Sequence, residues 1–480
     1  MKPRDHDEFP YADHLPPAWH VQEAASAYRP DAALTERHLH CVWADDKLRP
    51  ATLTDDRGEP VEVVTPGRWN LEAGPDFLDA VLQVGAEKRR LAGDVEIHIH
   101  PHAWIQHHHA EDPAYARVVA HVTYLPGPRS ADGLPPSVLR VALRDALQQN
   151  RGFAFDDIDL SAYPHATIPP TPRPCALALG ADPDRGAALL LAAGRHRLER
   201  KRQRMAAHIG QSRDPRQTFY ESFMAALGYK LNTQAFRRLA QLLPLADWPE
   251  AATPLTHYGR LLRTAGLLPD TARGEDDASR ALIRELWDLA WRNPVPTPDP
   301  PLAWRLGALR PANHPTRRLA AAAAIFGAPE PFETLWADVP TDPPKLWFRT
   351  VMHRLIQRAE LDCWRQRLTL TRLSKTSKPM AMLGATAAAT LVTNVVVPYL
   401  VCLQPETADA LLPALPTEEI NAPMRATAAH LFGRDHNPAL YATSGLMQQG
   451  LLQIHADFCL NAHSGCANCA LAAALDPQPL

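Results

Sequence analysis

Between residues 30 and 145 apolar and polar positions alternate in short runs, and from Pro183 onward apolar residues recur at three-to-four spacing. The first pattern predicts strands with one leading helix, the second an almost wholly helical half. The clearest alternation is Gly93-Asp94-Val95-Glu96-Ile97-His98-Ile99-His100. On an extended strand Val95, Ile97 and Ile99 face one side, and Asp94, Glu96, His98 and His100 face the other. Upstream, Ala80-Val81-Leu82-Gln83-Val84 reads as a second strand and Gly85 to Arg90 as a polar connection, so a hairpin is expected. It would bring Asp76, in Gly74-Pro75-Asp76-Phe77, near Glu96. Thr35 to Trp43 predicts a helix capped by Thr35, with Leu39, Val42 and Trp43 buried. Val118 to Tyr124, carrying His121, predicts a further strand of the same sheet, reached through a short, turn-rich loop.

The same patterns divide the chain. Residues 1–29 form an N-terminal extension and 30–160 an α/β domain with a mixed sheet. Residues 161–182, with the run Tyr163-Pro164-His165-Ala166-Thr167-Ile168-Pro169-Pro170, form a stiff Pro-rich linker. Residues 183–292 make a helical domain with a basic helix. The Pro-rich stretch Asn293 to Pro301 separates it from a second helical domain, 293–480, that ends in a cysteine cluster. No periodic repeat is visible.

At 480 residues and 46% hydrophobic content the chain can bury substantial cores. Its net charge of −3 gives no overall attraction to polyanions, so contact with nucleic acid has to come from local patches. The N-terminus has no apolar core of the kind a secretory signal needs, which predicts a cytoplasmic protein. Met382 to Leu403 is apolar but broken by Thr386, Thr390, Thr393, Asn394 and Pro398, so it reads as a buried helix and no membrane is expected. There is no glycine-rich phosphate loop after a strand, no nucleophile elbow and no His-Glu-x-x-His helix, which argues against ATP-driven and serine-hydrolase chemistry.

Carboxylates at the hairpin suit a divalent cation, because a few oxygen ligands can hold Mg²⁺ or Mn²⁺ while leaving positions for a phosphate oxygen and a water. Seven histidines, His98, His100, His102, His107, His108, His109 and His121, fall within 24 residues, and as a set they favour a metal or phosphate site. His98 and His121 have directions fixed by strands; His108 reads as a solvated loop imidazole.

Pro75-Asp76 and Glu96-Ile97-His98 on adjacent strands resemble the catalytic hairpin of the PD-(D/E)xK phosphodiesterase superfamily, in which an Asp after Pro and an acidic-x-Lys triplet lie side by side. The resemblance implies a restriction-endonuclease-like fold, with Asp76 and Glu96 as metal ligands and Glu36 completing the site from the leading helix. His98 stands where that superfamily has Lys. Its imidazole would act as base or ligand, with a proton state that depends on pH near neutrality. A wider likeness covers most of the chain. Trp69-Asn70, Ala73 to Phe77, Gly93 to His98, Trp104 to His109, Gly228-Tyr229-Lys230, Arg310-Pro311 and Gln449-Gly450-Leu451 resemble a widespread bacterial family catalogued as a domain of unknown function.

Arg195, Arg197, Arg200, Lys201, Arg202 and Arg204 crowd one helical stretch in which only Glu199 is available to pair. They are candidates for a phosphate-tracking surface, the alternative being a solvated helix. Arg310, Arg317 and Arg318 form a second basic group. Near the C-terminus, Cys459, Cys466 and Cys469 have a spacing that favours a metal over a disulfide in a cytosolic chain. The spacing resembles the first three ligands of the iron–sulfur loop of endonuclease III-like glycosylases, but position 475, where the fourth would stand, is Leu475. A structural zinc completed by His455 or His463 and an iron–sulfur cluster completed by Cys402 or Cys363 both remain open.

The leading expectation is a metal-dependent nuclease. Two others compete: a cupin-like metal-binding domain for small-molecule chemistry, using His98, His100 and Glu111, and an inactive nuclease-scaffold adaptor, binding nucleic acid or protein, in which Asp76, Glu96 and His98 would not converge or their pocket would be filled.

Overall fold

In a computed structural model, residue 11 and residues 34–475 are described, apart from 72–73, 108, 129–132, 151–152, 165–172, 181, 308, 310, 338–343, 375–379, 434–435, 461–465 and 467–468. His108, Arg310, His463 and the extension 1–29 apart from Tyr11 therefore lie outside the described residues.

Helix α1 is Glu36–Ala44. Thr35 is extended at its N-cap, and the His38 ring reaches back to the Thr35 backbone N–H at 3.1 Å, which satisfies a donor the helix leaves free. Leu39, Val42 and Trp43 are buried as expected, and so are Arg37, His38 and His40, because α1 is covered on its polar side too.

The strands are β1 (Leu53–Thr54), β2 (Pro60–Thr65), β3 (Arg68–Trp69), β4 (Phe77–Val84), β5 (Arg89–His98), β6 (Val118–Thr123) and β7 (Leu139–Ala142). They form one mixed sheet in the order β1-β2-β4-β5-β6-β7, with β3 also on β4. β4 and β5 are the expected antiparallel hairpin. β6 does extend the sheet, but parallel to β5, with His121 opposite Glu96. A parallel neighbour needs a crossover, and residues 99–117 supply it with helix α2 (Ala103–Gln106) and two 3-10 turns, where a short loop was expected. The crossover folds over the polar side of β5, so Gly93 to His98 is buried on both faces.

After α3 (Arg144–Gln148), α4 (Pro174–Gly180) puts a helix inside the predicted linker, and α5 spans Pro183–Ser212. Asp182 starts α5 by accepting the Arg185 N–H at 3.0 Å, followed by Pro183 at a position where a missing N–H costs nothing. Asn293 to Pro301 does not divide the core: Leu282, Ile283 and Leu286 before it pack in one cluster with Leu319, Ile325 and Phe348 after it. A second cluster joins α4 and the start of α5 to Met424, Leu451, Ile454 and Leu471 near the C-terminus. The two halves meet through the Arg237–Asp157 pair at 2.5 Å, Arg305 on Asp45, and Lys47 donating to the Trp304 carbonyl at 2.8 Å. Ala385–Leu403 is apolar and long enough to span a bilayer, with mean hydropathy 1.8, yet 72% of that window is buried and Val392, Val396 and Val397 lie in the large core.

α5 packs along the helix Gly445–Ile454, with Gly194 against the Leu446 carbonyl and Gly450 against the Leu190 carbonyl. A Cβ at either glycine would enter backbone of the other helix. Gly450→Ala is therefore expected to lower stability by about 1–3 kcal/mol in chemical denaturation. An unchanged midpoint would show that the helices stand further apart.

Candidate metal centre

The site begins at the mouth of the β4–β5 hairpin. The Asn70 side-chain amide donates to the Pro75 carbonyl at 3.0 Å, and its backbone N–H to the Asp76 carbonyl at 2.7 Å, which fixes the turn before β4. The Asp76 carboxylate accepts the Ile97 N–H at 2.8 Å, and the Asp76 N–H donates to Glu96 at 3.2 Å. The two acids predicted to meet are thus cross-linked through each other's backbone. From α1, His40 places Nε2 3.2 Å from Asp76, and Glu36, one helical turn earlier on the same face, accepts the Ile99 N–H.

The histidines close the site from the other side. His98 Nε2 lies 3.1 Å from His107 Nδ1, 3.3 Å from His109 Nε2 and 3.4 Å from Glu96 Oε1, and His109 Nε2 is 3.2 Å from the same Glu96 oxygen. The ligand atoms of His98, His107 and His109 all fall within 4.8 Å of one another. His98 Nδ1 is 2.8 Å from His121 Nε2. If His98 donates its Nδ1 proton there, Nε2 carries a lone pair toward the cluster, the arrangement by which an outer partner sets a ligand's tautomer. Tyr115 stacks on His109 with ring centroids 3.9 Å apart, and Trp104 packs edge-on against both His109 and His121. His107 is the exposed member of the set.

These distances fit a cation. Which of these nitrogens carries a hydrogen depends on the tautomers, and imidazoles with their lone pairs turned inward would offer three nitrogens to one ion. Electrostatics agree. Burial first, then the Asp76 charge, pushes Glu36 up to about 7, against the pull of His40 and the Ile99 N–H. Burial and the charges of Asp76 and Glu36 raise Glu96 well above the carboxylate range. Burial and the surrounding imidazoles push His98 far down, and His109 falls to about 4. Burial therefore favours the neutral form of His98 around pH 7.

Other predicted residues lie elsewhere. Asp94 accepts the Asp79 N–H at 3.0 Å and lies 4.0 Å from Arg117, holding the irregular start of the hairpin at the far end of β5's polar side. His100 packs on His102, 5.1 Å between centroids, and Glu111 is exposed. Among the described residues the cupin-like ligand set of His98, His100 and Glu111 is therefore not the one brought together; His98 meets His107 and His109 instead.

The basic run of α5 has more partners than Glu199. Arg202 pairs with Glu199 at 2.7 Å, Arg195 lies 3.8 Å from Asp409 and Arg200 4.0 Å from Asp457. Arg197 donates to Gln449 at 3.0 Å and Gln453 at 3.2 Å, and Lys201 donates to Asn394 and Gln449. Arg197, Arg200, Lys201 and Arg204 line a cavity of about 510 Å³ whose opposite wall includes Thr35 and His38, on the side of α1 away from Glu36 and His40. Of the second basic group, Arg317 and Arg318 are buried: Arg317 donates to the carbonyls of Arg367, Met380 and Ala381, and Arg318 to Tyr229 and Asn313.

A family model described as Protein of unknown function (DUF2851) matches residues 36–415. The chain belongs to that family. The match begins at Glu36 and takes in Asp76, Glu96 and every histidine of the cluster; the C-terminal cysteines fall beyond it. No curated protein and no solved structure matches.

Two participants went unremarked in the sequence. His40 had a signal, its four-residue spacing from Glu36, whereas nothing local marks Tyr115. The Glu36 shift makes a pH prediction. Its folded value lies above the unfolded one, so its favourable contribution is complete below about 4.5 and is lost as pH rises through about 7. In metal-free protein, wild type should lose roughly 3 kcal/mol more stability than Glu36→Gln between those limits. Parallel stability curves would mean that Glu36 is not held in a buried acidic site.

Proposed function

We propose that the protein is a metal-dependent phosphodiesterase acting on nucleic acid, with the cluster at the β4–β5 hairpin as its active site. The observation that carries this reading is that Glu96, bonded to the Asp76 N–H, meets His98 and His109, with His107 against His98 on the exposed side. A leading helix that contributes Glu36 and a parallel strand beside β5 support the nuclease-like reading of the α/β domain. Glu96 touching both the Asp76 N–H and His98 counts against the adaptor's expectation that these residues stand apart, though not against a filled pocket.

Glu96, His98, His107 and His109 would hold the ion, with Asp76 and Glu36 beside them. Imidazole donors favour Mn²⁺ over Mg²⁺, which prefers an all-oxygen shell. Such an ion, when bound, polarises a phosphoryl oxygen and supplies hydroxide near neutral pH. The chain's own groups do the rest. His121 fixes the His98 tautomer, Trp104 and Tyr115 exclude water from the rear, and exposed His107 marks the side from which a phosphodiester approaches. The cavity beside α5 is lined by Arg200 and Arg204, the groups proposed to meet a substrate backbone, together with the acids Asp157, Asp159, Glu418 and Asp457.

Wild type should cleave single- or double-stranded DNA or RNA with Mn²⁺. Asp76→Ala and Glu96→Ala should each lose roughly a hundredfold or more, the scale of several kcal/mol of charge stabilisation. Cleavage that ignores chelator, or that survives both substitutions, would remove the site from the chemistry. Separately, His121→Ala should weaken Mn²⁺ binding by about 10–100-fold in calorimetry while leaving the fold intact; unchanged affinity would leave His121 no part in orienting His98.

A further inference from the structure

The cysteines near the C-terminus have a neighbour that no local spacing could reveal. Cys175, on α4, is buried in the same cluster of side chains against which Cys459 and Cys469 pack. α4 lies against two helices, Ala422–Phe432 and Ala470–Leu475, and the second begins immediately after Cys469. Arg173, two residues before Cys175, donates to Cys466 Sγ, and the Cys469 N–H donates to the Cys466 carbonyl at 3.2 Å, so Cys466 is tied to both. All four are free thiols.

Polar groups stand around these sulfurs, against the burial that disfavours their ionisation. The Arg173 guanidinium donates to Cys466 Sγ at 2.8 Å and lies near Cys459 and Cys469. Cys469 sulfur accepts backbone N–H groups from Leu471 and Ala472, and Cys459 faces the buried hydroxyl of Thr427. A cation, backbone N–H donors and a hydroxyl around buried sulfurs are what stabilises a thiolate-bound metal. Of the completing ligands weighed from sequence, the two cysteines lie elsewhere and His455 lies beside Cys459, on the same Thr427 hydroxyl. Cys363 and Cys402 pack on the large helical core, and His455 Nδ1 is 3.1 Å from the Thr427 hydroxyl.

We infer that Cys175, Cys459, Cys466 and Cys469 bind one four-thiolate metal centre that ties α4 to the C-terminal segment. Zinc and an iron–sulfur cluster share this ligand chemistry, and the site takes one of them. The centre is separate from the histidine site and does not depend on the reading given to that site.

The test is made on full-length protein carrying His98→Ala, so that metal held by the histidine cluster does not enter the count. Protein purified anaerobically is assayed for zinc, iron and acid-labile sulfide and scanned for visible absorption. The expected result is a full complement of zinc without colour, or of iron with matching sulfide and a broad band near 400 nm. Cys175→Ser should reduce that content to background, whereas Cys402→Ser should leave it unchanged. Should Cys175→Ser fail to fold, alkylation of the parent protein decides: chelator should release labelling of all four cysteines together and leave the rate at Cys402 as it was. Parent protein free of both metals, full metal content in folded Cys175→Ser, or labelling indifferent to chelator would each overturn the assignment.

Discussion

The burial of Glu96 beside Asp76, each held by main-chain N–H groups at the mouth of the hairpin, is the constraint on which the site depends. A buried carboxylate beside a second acid loses hydration and meets its neighbour's charge, so its ionised form is costly unless positive charge is supplied. Glu36 adds a third acid, pushed up to about 7 by burial and by Asp76, while burial holds His98 and His109 neutral. The surrounding structure keeps this arrangement from relaxing: backbone N–H groups of Asp76, Ile97 and Ile99 pin the carboxylates, and the crossover 99–117 wraps the imidazoles over β5.

The hairpin and α1 were legible because their information is local. Alternation sets which way Glu96 and His98 point, a tight connection sets the pairing, and helical spacing places Glu36 opposite the buried Leu39 and Val42. What sequence could not give was the direction of β6. That depends on whether residues 99–117 return the chain to the same end of the sheet, and it decides that His121 meets Glu96 and His98. The run His107-His108-His109 shows the same limit, since the turn after α2, not the identity of the residues, puts His107 and His109 beside His98. Cys175 lies beyond any local signal, because its proximity to Cys459 is a product of how α4 packs at the far end of the chain.

The basic stretch of α5 shows how burial changes the meaning of a charge run. Read along the sequence it looked like a surface for phosphates. In the fold it is shared between a helix interface, where Arg197 and Lys201 bind the amides of Asn394, Gln449 and Gln453, and a cavity wall, where Arg200 and Arg204 face α1. The close approach at Gly194 and Gly450 brings those amides within reach. α1 consequently stands between the acidic site on one side and the arginine-lined cavity on the other, with His38 held down to about 4 by burial and by Arg200 and Arg204. Binding of an anion in the cavity and of a cation at the hairpin would act on opposite faces of the same short helix.

The most direct measurement is anomalous diffraction from crystals soaked in Mn²⁺. A single strong peak is expected within bonding distance of Glu96 Oε1, His98 Nε2 and His109 Nε2, with His107 turned toward it. An absence of density there at saturating Mn²⁺, or a peak elsewhere with the three imidazoles still packed on one another, would contradict a metal centre at the hairpin.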